Sequence, residues 1–361
     1  MLLKKLRCTH FKSHTAIELV FEDYLNFIVG PNGVGKTNLL DGIHYLSLTK
    51  SAFNSVDVQS IQHGQEAFAV EGEFIKQGSP HTIRCTVRKH VGKHFQNNNR
   101  TYEKLRDHIG LFPIVLTTPY DMDLIRGGSE HRRKFFDILL CQLDSNYLNT
   151  FLQYQQLLKQ RNGLLRLYKM SGQLDQDLLA SYEHQLLPLG KHIFVARSTF
   201  IQTFAPSLKK YYRYFVDAPE EVQLIYMSEV ASDDFEHKFR NSLQQDIALQ
   251  RTTKGIHRDE IHFLLNTHLL KKIGSQGQQK SFIIALKLAQ FECMYKALSL
   301  KPILLLDDIF DKLDEQRIDR LMHLVGQKHF GQVFITDAKE KNSGVVVRQQ
   351  FRGKQFLINM G

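Results

Sequence analysis

The sequence predicts an α/β domain that is interrupted by a helical lobe, and three observations support this fold class. First, a glycine-rich loop lies between an apolar run and a second apolar pattern near the start of the chain. Second, alternating apolar and polar residues predict antiparallel strands in AFAVEGEF and HTIRCTVRKH. Third, residues 137–250 are rich in Leu and Gln with helical spacing, and strand character then returns at HRDEIHFLL, Ile303–Leu306 and Gln332–Ile335.

The composition is that of a globular protein. The chain has 361 residues, of which 42% are hydrophobic, so it is long enough for two domains or for one core with an insertion. No apolar run approaches the roughly 18 residues that span a bilayer. The opening MLLKKLRCTHFKS has charges where an export signal needs apolar residues, and the scattered Cys8, Cys85, Cys141 and Cys293 suggest neither zinc nor disulfides. We therefore expect a cytoplasmic protein without a membrane partner.

The net charge of +10 favours a polyanionic partner such as a nucleic acid. The alternative is a basic surface that serves solubility alone.

The glycine-rich loop has the spacing G-x-x-x-x-G-K-T from Gly30 to Thr37. The apolar run LNFIV precedes it, and Leu39, Leu40, Ile43 and Leu46 follow at helical spacing. Loop N–H groups and the following helix N-terminus would face the phosphates of ATP. Lys36 would reach the β- and γ-phosphates, and the Thr37 hydroxyl would bind Mg²⁺. The predicted ATP ligands are Gly30, Pro31, Asn32, Gly33, Val34, Gly35, Lys36 and Thr37. The alternative is a structural glycine turn.

Two adjacent acids end a strand near the C-terminus, in PILLLDDIFDKLD. Ile303–Leu306 suits a central parallel strand. Asp307 at its carboxyl end can bind Mg²⁺, and Asp308 can orient and deprotonate the attacking water. The alternative is that both acids cap the next helix.

A polar turn opens a helix upstream of this strand, in IGSQGQQKSFIIALKLAQ. Its hydroxyl, close backbone and helix N-terminus could contact a phosphate. Simple helix capping is the alternative. The residues concerned are Ser275, Gln276, Gly277 and Gln278.

Together, the phosphate loop, SQGQQK, LLLDD and the Leu313-Asp314 pair resemble the ATP-binding-cassette heads of the SMC-like group. Fewer than about 240 residues separate Thr37 from Ser275, and no sustained heptad fills them. The chain resembles RecF, the short member of this group and a family of bacterial recombination mediators. The matching blocks occur in the same order and include GPNGVGKTNLL, TTKGIHRDEI, PILLLDDIFDKLD and GQVFITDA. The resemblance implies an ATP-binding-cassette head with an inserted α-helical lobe. The predicted segments are 1–115 (first half of the ATPase lobe), 116–250 (helical lobe) and 251–361 (second half).

The resemblance also implies a mechanism. Two heads would dimerise head to tail around ATP, with Ser275–Gln278 of one subunit facing the nucleotide of the other. Hydrolysis would be weak, DNA-dependent and used as a switch. The implied partners are single- and double-stranded DNA near gaps and a RecR-type protein. The implied roles are recombinase loading and support of the SOS response.

The chain departs from the usual family pattern at three places, namely Asp41-Gly42, Ile256 and Thr336-Asp337. The Asp41-Gly42 pair puts a weak helix former behind the loop. The role of Thr336 stays open, and the glutamine that binds Mg²⁺ in many cassette ATPases is not located.

Two basic stretches are candidates for DNA contacts. SLKKYYRYF carries Lys209, Lys210 and Arg213 among aromatic residues that could stack on bases. Its alternative is an amphipathic helix whose tyrosines lie in the core. RKHVGKH, near a predicted hairpin tip, carries Arg88, Lys89 and Lys93.

Two other functional classes are open from the phosphate loop alone. The ATPase subunit of a transporter would carry a His after the final strand, where this chain has Thr336-Asp337. The second class is a P-loop kinase, but that hypothesis does not explain the SQGQQK motif.

Overall fold

The strands and helices are taken from a computed structural model that describes residues 1–338 and 353–358. The strands are β1 Leu2–Phe11, β2 His14–Val20, β3 Leu25–Gly30, β4 Ala67–Lys76, β5 Ser79–Arg88, β6 Gly92–Asn97, β7 Arg100–Thr101, β8 Ile114–Thr117, β9 Val222–Met227, β10 Glu260–Leu265, β11 His268–Leu269, β12 Ile303–Leu306, β13 Val333–Ala338 and β14 Lys354–Leu357.

The helices vary widely in length. They are α1 Lys36–Leu48, α2 Asp123–Arg126, α3 Ser129–Leu143, α4 Ser145–Ser171, α5 Gln176–Phe215, α6 Phe235–Asn241, α7 Leu243–Leu249, α8 Leu270–Ile273, α9 Gln276–Leu298, α10 Ile309–Lys312 and α11 Glu315–Gly326. None of the helices in the described ranges is both long and apolar enough to cross a membrane.

The chain forms two compact units. The first contains Met1–Asp121, Tyr214–Asp217 and the described residues from Lys280 onward, and the second contains Met122–Arg213 and Ala218–Gln279. This partition differs from the one based on sequence, which has a boundary near residue 250. The division into two halves of an ATPase lobe, 1–115 and 251–361, and a helical lobe, 116–250, stays a prediction.

An antiparallel sheet in the order β2-β1-β4-β5-β6-β7 forms part of the first unit. The predicted strands AFAVEGEF and HTIRCTVRKH are β4 and β5, which pair antiparallel as expected. On the sheet, Arg7 is in register with Glu18 and Glu71, and Glu71 is in register with Arg84. Ion pairs join all of these neighbours, so charges of opposite sign alternate across four strands.

A parallel sheet in the order β14-β3-β13-β12-β8 forms the other layer of the first unit. Strand β12 lies between β13 and β8 and pairs parallel with both, as predicted for Ile303–Leu306. Helix α1 contacts strands of both sheets. Its side chains Leu39, Leu40, Ile43 and Leu46 are fully buried, which explains why α1 is apolar on more than one face. Packing of α1 fixes the loop at its N-terminus.

The second unit is mostly helical, as predicted, and two buried arginines tie it together. Arg161 Nη1 donates to Asp246 Oδ2 at 2.7 Å and Arg161 Nη2 to Glu183 Oε1 at 2.8 Å. Arg197 donates to Asp137 and Asp259. Each buried guanidinium is thus compensated by two carboxylates, as a buried charge requires.

The predicted helical stretch 137–250 is wrong at one place, because Val222–Met227 forms strand β9. It pairs antiparallel with β10, whose Leu265 is in register with Val222. Whether such a short segment forms a strand depends on pairing with strands that are distant in the sequence. Local periodicity does not reveal those partners.

Candidate nucleotide and metal site

The loop between β3 and α1 is shaped by glycines. Gly33 and Gly35 have φ values of 83° and 98°, in the left-handed region that favours glycine. A Cβ on Gly35 would lie 2.3 Å from Ser13 Oγ and 2.7 Å from His14 Nε2. Position 35 therefore requires glycine for its backbone conformation and also for space.

The turn between β1 and β2 braces this loop. His14 Nε2 lies 3.0 Å from the carbonyl oxygen of Gly35, and Asn38 Nδ2 donates to Ser13 Oγ at 2.8 Å. A carbonyl only accepts, so we assign the proton to Nε2, and burial lowers the pKa of His14. Ser13 and His14 are not predictable as part of the site from the sequence, because only their polar character at a turn distinguishes them.

Lys36 lies across the loop. Its Nζ donates to the carbonyl oxygens of Gly30 at 2.7 Å and Pro31 at 2.8 Å. Helix α1 has Gly35 as its N-cap, no side-chain cap and no acid in its first turn. The first N–H groups of a helix have no intrahelical partner, and no acid in the first turn of α1 competes with an anion for them. This end of α1 therefore suits a phosphate.

Thr37 and Asp307 meet below the loop. The Thr37 hydroxyl is 3.0 Å from Asp307 Oδ1 and 2.9 Å from Oδ2. Burial raises the pKa of Asp307, while hydrogen bonds from Thr336 and Thr37 act in the opposite direction. Hydroxyl and carboxylate oxygens are ligands that Mg²⁺ accepts, so this donor set fits the predicted metal.

Asp308 follows in a left-handed conformation, with φ 50° and ψ 41°. Its backbone N–H donates to Thr336 Oγ1 at 2.8 Å. Asp308 is the N-cap residue of α10, but its side chain makes no capping hydrogen bond. Helix capping therefore does not explain this acid. The structure thus brings together the loop, Thr37, Asp307, Asp308 and Thr336.

Ser275–Gln278 lie at the start of α9 and belong to the second unit. Ser275 Oγ accepts from the N–H of Gln278 at 3.2 Å, and Gln278 Oε1 accepts from the N–H of Ser275 at 2.7 Å. This reciprocal pair is a capping box. Ser275 and Gln276 are exposed. Contact with a neighbouring subunit's nucleotide stays a prediction.

The tyrosines beside Lys209 and Lys210 do not form a stacking surface. Tyr211 and Tyr212 are 2% and 1% exposed, so the alternative that they belong to the core is correct. Lys209 and Arg213 lie 3.6 and 3.8 Å from Glu221. Contacts of Lys209, Lys210 and Arg213 with DNA remain a prediction based on charge alone.

The second basic stretch is at a hairpin turn, as predicted, between β5 and β6. Lys93 is 16% exposed and lies 2.8 Å from Asp57, which disfavours a phosphate contact for this lysine. Lys89 forms an exposed pair with Glu66 at 3.0 Å, and Arg88 is exposed. Arg88 and Lys89 remain the better candidates of the three.

The structure gives local explanations for two of the departures from the family pattern, Asp41 and Ile256. Asp41 is fully buried, lies 2.6 Å from Lys12 Nζ and accepts from the Ser51 hydroxyl and the Ala52 N–H, both at 2.7 Å. Asp41 thus anchors the segment that follows α1. Ile256 is fully buried in the core of the second unit.

Known proteins match the chain along its length. The family described as the RecF/RecN/SMC N terminal domain matches residues 2–109. A DNA replication and repair protein RecF from Flavobacterium johnsoniae is 42% identical over 348 residues, which cover 96% of this chain and 97% of the relative. One from Cytophaga hutchinsonii is 41% identical over 362 residues, covering 100% and 96%. The chain belongs to the RecF family.

Solved structures agree with this assignment to RecF. The recombination mediator protein RecF-ATP in the RecFOR pathway matches with a TM-score of 0.89 and 26% identity, covering 100% of this chain and 96% of that one. An Smc head bound to the C-winged helix domain of ScpA matches with a TM-score of 0.57 at 14% identity, which concerns the fold alone. The predicted fold class, a P-loop ATPase head of the ATP-binding-cassette type, is confirmed.

Proposed function

We propose that this RecF-family protein is an ATP-dependent DNA-binding protein of replication and recombinational repair. The observation that carries the proposal is the Thr37–Asp307 contact of 2.9 Å beneath the phosphate loop. It joins the predicted ATP and Mg²⁺ ligands in a chain whose relatives are named DNA replication and repair proteins. A solved RecF with ATP supports the choice of nucleotide.

ATP binding would use the loop from Gly30 to Thr37. Lys36 Nζ, which bonds to two backbone carbonyls, would turn to the β- and γ-phosphates, where its charge is better compensated. The N–H groups at the start of α1 would donate to phosphate oxygens. Thr37 and Asp307 would hold Mg²⁺, which when bound neutralises charge on the phosphates.

Hydrolysis would depend on Asp308. This carboxylate would accept a proton from the attacking water and orient it in line with the leaving group. Its neighbour Asp307 would stay ionised as a metal ligand. We propose weak, DNA-dependent turnover that serves as a switch.

The switch would act on a dimer. Ser275, Gln276, Gly277 and Gln278 of one subunit would contact the ATP of the other, with the exposed Ser275 hydroxyl and the α9 N-terminus facing the γ-phosphate. Loss of that phosphate would weaken the dimer.

The polyanion held by the dimer would be DNA, single- or double-stranded, near gaps. The net charge of +10 supports this choice, because backbone phosphates are bound without a sequence code. In this proposal a RecR-type protein is the partner, recombinase loading and support of the SOS response are the outcome, and the cytoplasm is the place of action.

Light scattering after gel filtration tests the proposal, with and without ATP and with gapped, intact or single-stranded DNA. We expect a mass near 41.9 kDa without ATP and about twice that with ATP, and retention of gapped DNA that weakens as salt rises. An unchanged mass with ATP, together with no DNA retention, would refute the proposal.

A further inference from the structure

Thr336 lies on the strand between the two halves of the nucleotide site. Strand β13 pairs on one side with β3, which leads into the loop, and on the other with β12, which ends at the acids. Thr336 is in register with Ile28, and its side chain is fully buried. It is therefore held rigidly beside both acids.

The Thr336 hydroxyl contacts both acids at once. It donates to Asp307 Oδ1 at 2.8 Å and accepts from the backbone N–H of Asp308 at 2.8 Å. A hydroxyl has one proton and two lone pairs, so it can make both bonds together. Thr37 donates to the same carboxylate, with its hydroxyl 3.0 Å from Asp307 Oδ1 and 2.9 Å from Oδ2.

The second bond has a conformational consequence. Asp308 has φ 50°, in the left-handed region that residues other than glycine adopt uncommonly, Asp more often than most. Such conformations persist where the surroundings over-determine them. The hydrogen bond to Thr336 is one such constraint on Asp308.

We infer that Thr336 is a positioning residue, which sets the Asp307 carboxylate for the metal and the Asp308 carboxylate for the water. The inference rests on the proposed ATP hydrolysis. In this role the hydroxyl of Thr336, and not its methyl group, is the functional part of the side chain. Second-sphere partners of metal ligands commonly change metal affinity or activity by about 10- to 100-fold when removed.

The test compares Thr336→Val, Thr336→Ser and the control Thr117→Val. The Thr117 hydroxyl is also buried at the end of a strand of this sheet, but has no hydrogen-bond partner among the described residues. Mn²⁺ affinity of the complex with a non-hydrolysable ATP analogue is measured by electron paramagnetic resonance. ATP turnover is measured separately, and nucleotide affinity in EDTA shows that each variant is folded.

We expect Thr336→Val to lower Mn²⁺ affinity and kcat, each about 10- to 100-fold, with KM for ATP and binding in EDTA retained. Thr336→Ser should restore most of both, and Thr117→Val should match the wild type. Wild-type Mn²⁺ affinity and turnover in Thr336→Val would overturn the inference, as would equal damage in Thr336→Ser. If the wild type itself fails to hydrolyse ATP, the proposed function fails, and Mn²⁺ affinity alone then decides the role of Thr336.

Discussion

The Thr37 hydroxyl lies 2.9 Å from Asp307 Oδ2, although 270 positions separate the two residues in the chain. Thr37 is the last residue of the phosphate-loop motif and Asp307 directly follows strand β12, so a single contact joins both predicted motifs. Substitutions on either side of this contact should therefore separate nucleotide binding from metal-dependent chemistry.

Replacing Lys36 with Ala or Met should abolish tight ATP binding, because the β- and γ-phosphates lose their cation. A hydrogen bond to a charged group contributes about 1.5–3 kcal/mol, so the affinity should fall at least about tenfold. Isothermal titration measures the loss. Lys104→Ala, which removes an exposed lysine of the same unit, should bind normally. Unchanged affinity in Lys36→Met would disprove the role of the loop.

Replacing Asp308 with Asn should keep ATP binding and stop hydrolysis, since an amide cannot accept the proton of water. The ATP-bound dimer should accumulate and be visible by light scattering. Asp307→Asn should instead lose the Mg²⁺-dependent activity, because the metal loses a carboxylate ligand. Normal hydrolysis by Asp308→Asn would assign the base to another residue.

Replacing Ser275 with Arg should leave ATP binding by the monomer near normal and prevent ATP-driven dimerisation, because a bulky cation would fill the space of the neighbour's γ-phosphate. Hydrolysis and DNA retention should be lost with the dimer. Mixing Ser275→Arg with Lys36→Met should restore about one working site per mixed dimer, by the head-to-tail arrangement.

Ser275→Thr is the control for this variant, because it keeps the hydroxyl that caps α9 and the roughly 1 kcal/mol of such a cap. Dimerisation of Ser275→Arg on ATP would contradict the composite site.

Replacing Gly42 with Ala should stabilise the protein by about 0.5–1 kcal/mol, the usual gain at a helix interior. A Cβ there would lie 3.4 Å from Cys8 Sγ and 3.7 Å from Val70 Cγ1, which are ordinary contacts. Urea unfolding measures the gain. Gly35→Ala should destabilise, because its Cβ would clash with Ser13 Oγ at 2.3 Å. A loss of stability in Gly42→Ala would show that this part of α1 is packed more tightly.

Replacing Arg161 with Ala should destabilise the second unit by about 3–5 kcal/mol, because the buried Asp246 and the mostly buried Glu183 lose their common partner. Arg166→Ala on the same helix removes an exposed arginine and should stay within about 0.5 kcal/mol of wild type. Chemical unfolding of both variants provides the comparison. Equal stability of Arg161→Ala and Arg166→Ala would show that the Arg161 network does not stabilise the second unit.

Residue spacing was sufficient to predict features that depend on local sequence. The loop from Gly30 to Thr37 and the buried strand before Asp307 are such features, because glycine conformation and apolar periodicity are written into short stretches. The hairpin β4–β5 was predicted on the same basis.

Features that depend on distant partners were not predictable in this way. In the sequence Lys93 is one basic residue among several, and only the structure shows that it pairs with Asp57. His14 and Thr336 acquire their roles only when strands bring them to Gly35 and Asp307. No spacing rule links positions that meet through tertiary pairing alone.

The neighbours of β3 have a consequence for biosynthesis. Within the described ranges this strand pairs with β13 and β14, both near the C-terminal end of the chain. Ribosomes add about 5–20 residues per second, so β3 waits roughly 15–65 s for its partners after it is made. During translation β3 is an unpaired and mostly apolar segment, and chaperone capture of nascent chains should concentrate on it.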